Sequence, residues 1–128
     1  MEENKINDIN ENYENIDVEK APSALVYKLE IPVMYGEKEY TELHIDFTKL
    51  RGKDARAISA ELQALGKAVL LPSYSDEYLT RMVVRAAEEK IGDDFFDKLT
   101  MHDYNKLISR ARTFLLKSES PIPTAAKG

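Results

Sequence analysis

The side chains best suited to chemistry in this sequence are its two histidines, His44 and His102, and the carboxylates Asp93, Asp94 and Asp97. A metal face on a helix needs a second His, a Cys or a carboxylate one turn away, and neither histidine has one. His102 is followed by Asp103, but adjacent residues on a helix point in different directions. Both histidines therefore read as ordinary surface residues. A calcium loop needs oxygens at alternating positions, a central Gly and a closing Glu. Phe95 and Phe96 interrupt the Asp cluster instead, so these carboxylates read as helix-start residues favoured by the dipole. Two Gly-Lys pairs, Gly52-Lys53 and Gly66-Lys67, invite comparison with phosphate loops. A Walker loop requires a Gly five residues earlier and a Ser or Thr after the Lys. Phe47 and Asp54 break the first pair, and Glu61 and Ala68 break the second. No Ser lies in a G-x-S-x-G setting. The expectation is a chain that is not an enzyme, with no catalytic residues, no cofactor and no metal.

Binding is the remaining class. Lys49, Arg51, Lys53 and Arg56 cluster where a helix should begin. Cations are mildly unfavourable there, so helix stability does not explain them. They suit phosphate or an acidic segment, or they balance the acids Glu37, Glu39, Glu42 and Asp46; balancing is preferred. Arg81, Arg85, Arg110 and Arg112 are scattered and should solvate outer helix faces. More informative is an apolar surplus: Val69-Leu70-Leu71, Phe95-Phe96 and Leu115-Leu116, with Tyr74 and Tyr78 beside the first. Consecutive apolar residues on an amphipathic element cannot all face one core. Either part of the surplus is exposed as a partner surface, or the body wraps it from several sides. The candidate partner-binding residues are Val69, Leu70, Leu71, Tyr74, Tyr78, Phe95, Phe96 and Leu116.

The elements carrying these residues follow from periodicity. Leu25, Tyr27, Leu29, Ile31 and Val33 alternate with polar neighbours, and Thr41, Leu43, Ile45 and Phe47 resume the alternation after Tyr35-Gly36-Glu37-Lys38. That pattern is a β-hairpin, with Pro32 at an edge or bulge. A lone hairpin is marginal in water, so helices must cover its apolar face. Ala55, Ile58, Leu62, Leu65 and Val69 form the stripe of a first helix; Gly66 ends it or only weakens it, and Pro72 stops it. Ser75 caps a second helix carrying Leu79, Met82, Val83, Ala86 and Ile91, with Gly92 placed for a left-handed stop. A turn through Asp94–Leu99 leads to a third helix. Thr100 and Asp103 resemble a capping box for it, and Tyr104, Leu107, Ile108, Ala111, Phe114 and Leu115 make its stripe. The expected fold is α+β, an N-terminal antiparallel β-hairpin packed on a bundle of about three helices.

At 128 residues, with 43% hydrophobic and 32% charged residues, the chain suits one globular domain. It has no Cys, which removes disulfides and thiolate metal sites. No apolar run approaches the ~20 residues that span a bilayer, and the N-terminus lacks a signal-peptide pattern. The net charge of −5 is unevenly placed: residues 1–22 hold seven acids and two bases, and the remainder is neutral. Residues 1–23 therefore read as an acidic disordered leader, residues 24–117 as a single domain, and residues 118–128 as a flexible tail. A neutral body lacks the basic excess of a nucleic-acid binder.

The layout resembles the tail assembly chaperones of long-tailed bacteriophages, particularly the Mu-like group. The resemblance is carried by YKLEIPVMYGEKEYTELHIDF from Tyr27 to Phe47, by the L-x-G-x-D pattern of Leu50-Arg51-Gly52-Lys53-Asp54 running on to Ile58, by the helix after Asp76, and by the run from Phe96 to Leu115 with its T-x-x-D-Y start at Thr100. It covers about residues 25–117; the acidic leader is an addition. The resemblance implies a non-catalytic protein that coats the long hydrophobic tape measure protein in the host bacterial cytoplasm until tube subunits polymerise. It also implies self-association, absence from the mature virion, and often a frameshifted longer form. The alternatives are a nucleic-acid-binding regulator using Lys49 to Arg56, and a structural tail or adaptor component retained in the particle.

Overall fold

The computed structural model describes residues 22–119, without the side chains of residues 118 and 119. The leader and tail expectations for residues 1–21 and 120–128 lie outside that range. The chain folds as α+β. Strands β1 (Ala24–Tyr35) and β2 (Lys38–Asp46) form an antiparallel hairpin, followed by helices α1 (Gly52–Ala64), α2 (Asp76–Ala86) and α3 (Met101–Glu119). Short 3-10 turns at Phe47–Lys49, Pro72–Tyr74 and Asp93–Lys98 join them.

The hairpin is built by alternation with one interruption. Leu25 pairs with Ile45 and Tyr27 with Leu43, all facing the helices. The register then slips between Lys28 and Val33. This bulge contains Pro32, whose missing N–H suits an interrupted ladder. It also turns Ile31 out to solvent and brings Tyr40 inward in place of Thr41, against the expected parity of both. Inside the bulge the Glu30 amide donates to the Asp103 carboxylate of α3 at 2.8 Å, and the Tyr27 hydroxyl donates to the same group at 2.6 Å. Asp103 is only 1% exposed. Thr100 caps α3 through the Asp103 amide, at 3.0 Å. The expected capping box is thus half formed, because the Asp103 side chain is diverted across the molecule to β1. Burial and the Asp103 carboxylate both push the Tyr27 phenol well above its ordinary pKa.

Helix α2 is the hub, packing on α1, α3, β2 and all three 3-10 turns. Its Leu79, Met82, Val83 and Ala86 are buried as expected. Ile91 is buried too, but it lies beyond the helix. The helix stops at Ala86 because Ala87 bridges to Ile45 and the Glu88 amide donates to the His44 carbonyl. That pairing covers the outer edge of β2. Gly92 is not a left-handed cap: its φ is −115°. It is needed for close approach, since a Cβ there would meet the Tyr35 hydroxyl at 3.0 Å.

Helix α1 ends one turn earlier than its apolar stripe suggested. Gly66 takes φ +74°, the Gly66 amide bonds the Gln63 carbonyl, and the Lys67 amide bonds the Leu62 carbonyl at 2.8 Å. These are the two bonds of a Schellman stop. Only Ile58 and Leu62 of that stripe are buried; Ala55 and Leu65 are exposed, and Val69 lies past the helix, half-buried against the core. The core closes around an aromatic chain. Phe95 meets Tyr35 and Tyr40 edge-on at 5.3 and 5.7 Å, and Phe96 meets Tyr104 at 6.0 Å. Phe47 stacks on Phe114 at 5.4 Å.

Candidate functional site

The most exposed apolar segment of the described residues is the connection between α1 and α2. Leu70 is 91% exposed, Tyr74 72%, Leu71 62% and Leu65 58%. Local chemistry sets this segment in place at both ends. On one side the Gly66 stop turns the chain, and Lys67 pairs with Glu77 at 2.8 Å. On the other, Leu71 is extended ahead of Pro72, and the 3-10 turn closes by a bond from the Ser75 amide to the Pro72 carbonyl. Ser73 is buried, and Arg112 of α3 donates to its carbonyl at 2.8 Å. The Ser75 hydroxyl accepts the Tyr78 amide, as the expected cap. Leu70 and Leu71 are thus carried on a strap fastened at both ends. Leu116 follows Arg112 by one helical turn, which places it on the same face of α3 as the strap; it is partly exposed.

The structure divides the eight sequence candidates. Leu70, Leu71 and Tyr74 are exposed on one short connection, Leu116 of α3 is partly exposed, and Val69 is half-buried against the core. Tyr78, Phe95 and Phe96 belong to the core. Tyr35 and Tyr40 of the hairpin cover Phe95, Tyr104 of α3 covers Phe96, and Tyr78 is buried on α2. Leu65 joins the exposed set; its place on the helix stripe concealed it, since the Gly66 stop ends α1 before Leu65 reaches a partner. Val26, Ile31 and Met34 of the hairpin are also exposed and were not anticipated.

Beside the strap lies a cleft of about 280 Å³ between Leu62, Leu65 and Lys67 on one side and Asp93, Phe96, Asp97 and Tyr104 on the other. Its lining sets the carboxylates Glu77, Asp93, Asp94 and Asp97 against Lys67 and Arg81; Arg81 bridges Asp93 at 3.2 Å and Glu61 of α1 at 2.9 Å. Arg85 pairs with Asp54 at 2.9 Å. These arginines and Arg112 tie elements together and do not simply solvate outer faces. The Arg51 amide and the Arg85 guanidinium hold the Asp54 carboxyl below its usual range. Among the described residues no three His, Asp or Glu groups converge in a way that would hold a metal ion.

His44 has more partners than an isolated surface histidine. Its ring Nδ1 lies 2.7 Å from Glu89 Oε2, and its backbone amide donates to Oε1 of the same carboxylate at 2.9 Å. Nε2 is 3.4 Å from Glu42. The bond to Glu89 raises the His44 pKa. Burial works against ionisation of Glu89, but the bonds from His44 outweigh it and lower the Glu89 pKa. His102 is exposed. Among the described residues no hairpin acid forms a salt bridge with Lys49, Lys53 or Arg56, but the bonds from Thr48 and, more weakly, the charge of Lys49 hold the Asp46 carboxyl below its usual range, so Lys49 is balanced in part.

No helix of the described residues is long and apolar enough to cross a membrane. Compared with known proteins, the chain finds no match to any family model, curated protein or solved structure.

Proposed function

We propose that this chain is a non-catalytic tail assembly chaperone. On this reading it holds an apolar helical segment of a phage tape measure protein on the surface of Leu65, Leu70, Leu71 and Tyr74, with Leu116 at the edge. The observation that carries the proposal is the exposure of Leu70 and Leu71 on a strap that is anchored at Lys67 and Ser73. Neighbouring apolar residues held in the open by fixed backbone favour association. Covering the two leucines contributes roughly 3 kcal/mol before the costs of binding. An amphipathic helix presents apolar residues at intervals of three and four, which suits a compact patch of this kind. The client class, the host cytoplasm, self-association and release from the finished particle are part of this proposal, as what the sequence resemblance implies.

Co-expression with a tape measure protein tests the reading. The wild-type chain is expected to keep that protein soluble, and Leu70→Ser with Leu71→Ser is expected to lose the effect while remaining folded. Unchanged client solubility with and without the chain would refute the proposal. Mass spectrometry of purified particles separates it from a retained tail component: the chaperone should be absent.

A further inference from the structure

The cations Lys49, Arg51, Lys53 and Arg56 fall within eight consecutive positions, from the Phe47–Lys49 turn into the start of α1, and all are exposed. Arg51 spends its guanidinium on the carbonyls of Thr48 (2.7 Å) and Leu50 (3.1 Å). Lys49, Lys53 and Arg56 form no salt bridge among the described residues. The nearby acids have their hydrogen bonds elsewhere. Asp54 accepts from the Arg51 amide and Arg85, Asp46 accepts from Thr48, and Glu42 faces His44. Glu37 and Glu39 sit at the far end of the hairpin, ~27 Å of strand away from Phe47, well beyond the Debye length at physiological salt. Positive charge at the start of α1 opposes the helix dipole. Asp46 and Asp54 offset part of the charge of Lys49 and Lys53, and the four cations still leave this face with a positive surplus.

The rest of the chain supplies the opposite charge. Residues 1–21 carry Glu2, Glu3, Asp8, Glu11, Glu14, Asp17 and Glu19 against Lys5 and Lys20, which is the whole net charge of the protein. The place where that segment joins the body is equally specific. The Ser23 carbonyl accepts the Phe47 amide at 2.8 Å, and the Ser23 hydroxyl accepts from Lys117 at 3.0 Å. The segment therefore departs beside the Phe47–Lys49 turn, at the first cation of the cluster. Glu19, Asp17 and Glu14 lie three, five and eight residues before Pro22. Extended backbone covers ~3.3–3.6 Å per residue, so their reach is ~10 to ~29 Å. A short tether holds its charges at millimolar effective concentration, so a weak electrostatic attraction is enough to fill the face.

We propose that the acidic segment of residues 1–21 docks in cis on the face formed by Lys49, Lys53 and Arg56, through Glu14, Asp17 and Glu19. The face then has an occupant within its own chain, and an outside polyanion must displace that occupant to reach it. The docking is separate from the strap at Leu70 and holds whatever the strap binds.

The chain has no cysteine, so Asn15→Cys carries a single nitroxide label on the full-length, isotope-labelled protein. At about 0.01 M salt, where screening is weak, the amides from Lys49 to Arg56 are expected to lose most of their intensity; at ~1 M salt they should recover it. The exposed triple variant Lys49→Ala, Lys53→Ala, Arg56→Ala should recover intensity at low salt, with the rest of its spectrum unchanged. Equal broadening in that variant would overturn the proposal. So would broadening centred on Leu70 to Tyr74, or broadening seen only between labelled and unlabelled copies in a mixture. Absence of broadening, with duplex DNA shifting the same amides, would overturn it in favour of an external polyanion.

Discussion

Replacing Asp103 by Ala should destabilise the fold by about 2–4 kcal/mol, through the hairpin and not through α3 alone. The Asp103 carboxylate is buried and accepts the Tyr27 hydroxyl at 2.6 Å and the Glu30 amide at 2.8 Å. Bonds to a charged acceptor contribute about 1.5–3 kcal/mol each. The total is reduced because the half-buried Tyr27 hydroxyl regains water and because the variant no longer buries a carboxylate. Thr100 still caps the helix through the residue-103 amide, so α3 should persist. A domain of this size has about 5–15 kcal/mol of stability, so the variant should still fold. Urea unfolding followed by circular dichroism measures the loss as a lower midpoint at constant slope. Tyr27→Phe removes one of the two bonds and should cost about 1–2 kcal/mol. The double variant should fall short of additivity by about 1 kcal/mol. Amide exchange at Glu30 should accelerate in Asp103→Ala. A loss below about 0.5 kcal/mol, the range of ordinary surface changes, would show that this carboxylate does not hold the bulge. Strict additivity would show that Tyr27 and Asp103 are not coupled.

Three further outcomes are expected. His44→Gln should cost more stability at about pH 5.5 than at pH 8.5, by denaturation across pH. The raised His44 pKa makes its contribution full below about 6.5 and lost as pH rises through the folded value, whereas the lowered Glu89 pKa makes its contribution present above about 4.5 and lost on acidification. A difference independent of pH would contradict the pairing. Gly66→Ala should cost about 1–2 kcal/mol, because φ is +74° there while nothing lies within 4 Å of a new Cβ, so the penalty is conformational and not steric. Phe95→Ala should cost about 3–5 kcal/mol in thermal or chemical unfolding, whereas Leu70→Ser should stay within about 0.5 kcal/mol; equal costs would mean that the buried and exposed sets have been assigned the wrong way round.

The sequence alone determined the elements whose signals are local. Period-two alternation around Gly36 specified the hairpin. Stripes at intervals of three and four specified α2 and α3, and Ser75 and Thr100 marked where they begin, because caps act on amides two or three residues away. Tertiary contacts decided what local pattern left open. The bulge that turns Ile31 out is pinned by Asp103, 73 residues from Glu30. Helix α2 ends at Ala86 because β2 claims the next residues. His44 acquires Glu89 across 45 residues. The apolar surplus shows the division most clearly. Leu70-Leu71 and Phe95-Phe96 are both contiguous apolar pairs, the first just before a 3-10 turn and the second within one, and periodicity treats them alike. The second pair enters the core because Tyr35, Tyr40 and Tyr104 converge on it from the hairpin and α3. The first pair stays outside, since the Gly66 stop and the Ser73–Arg112 bond hold its backbone where none of the described elements covers it.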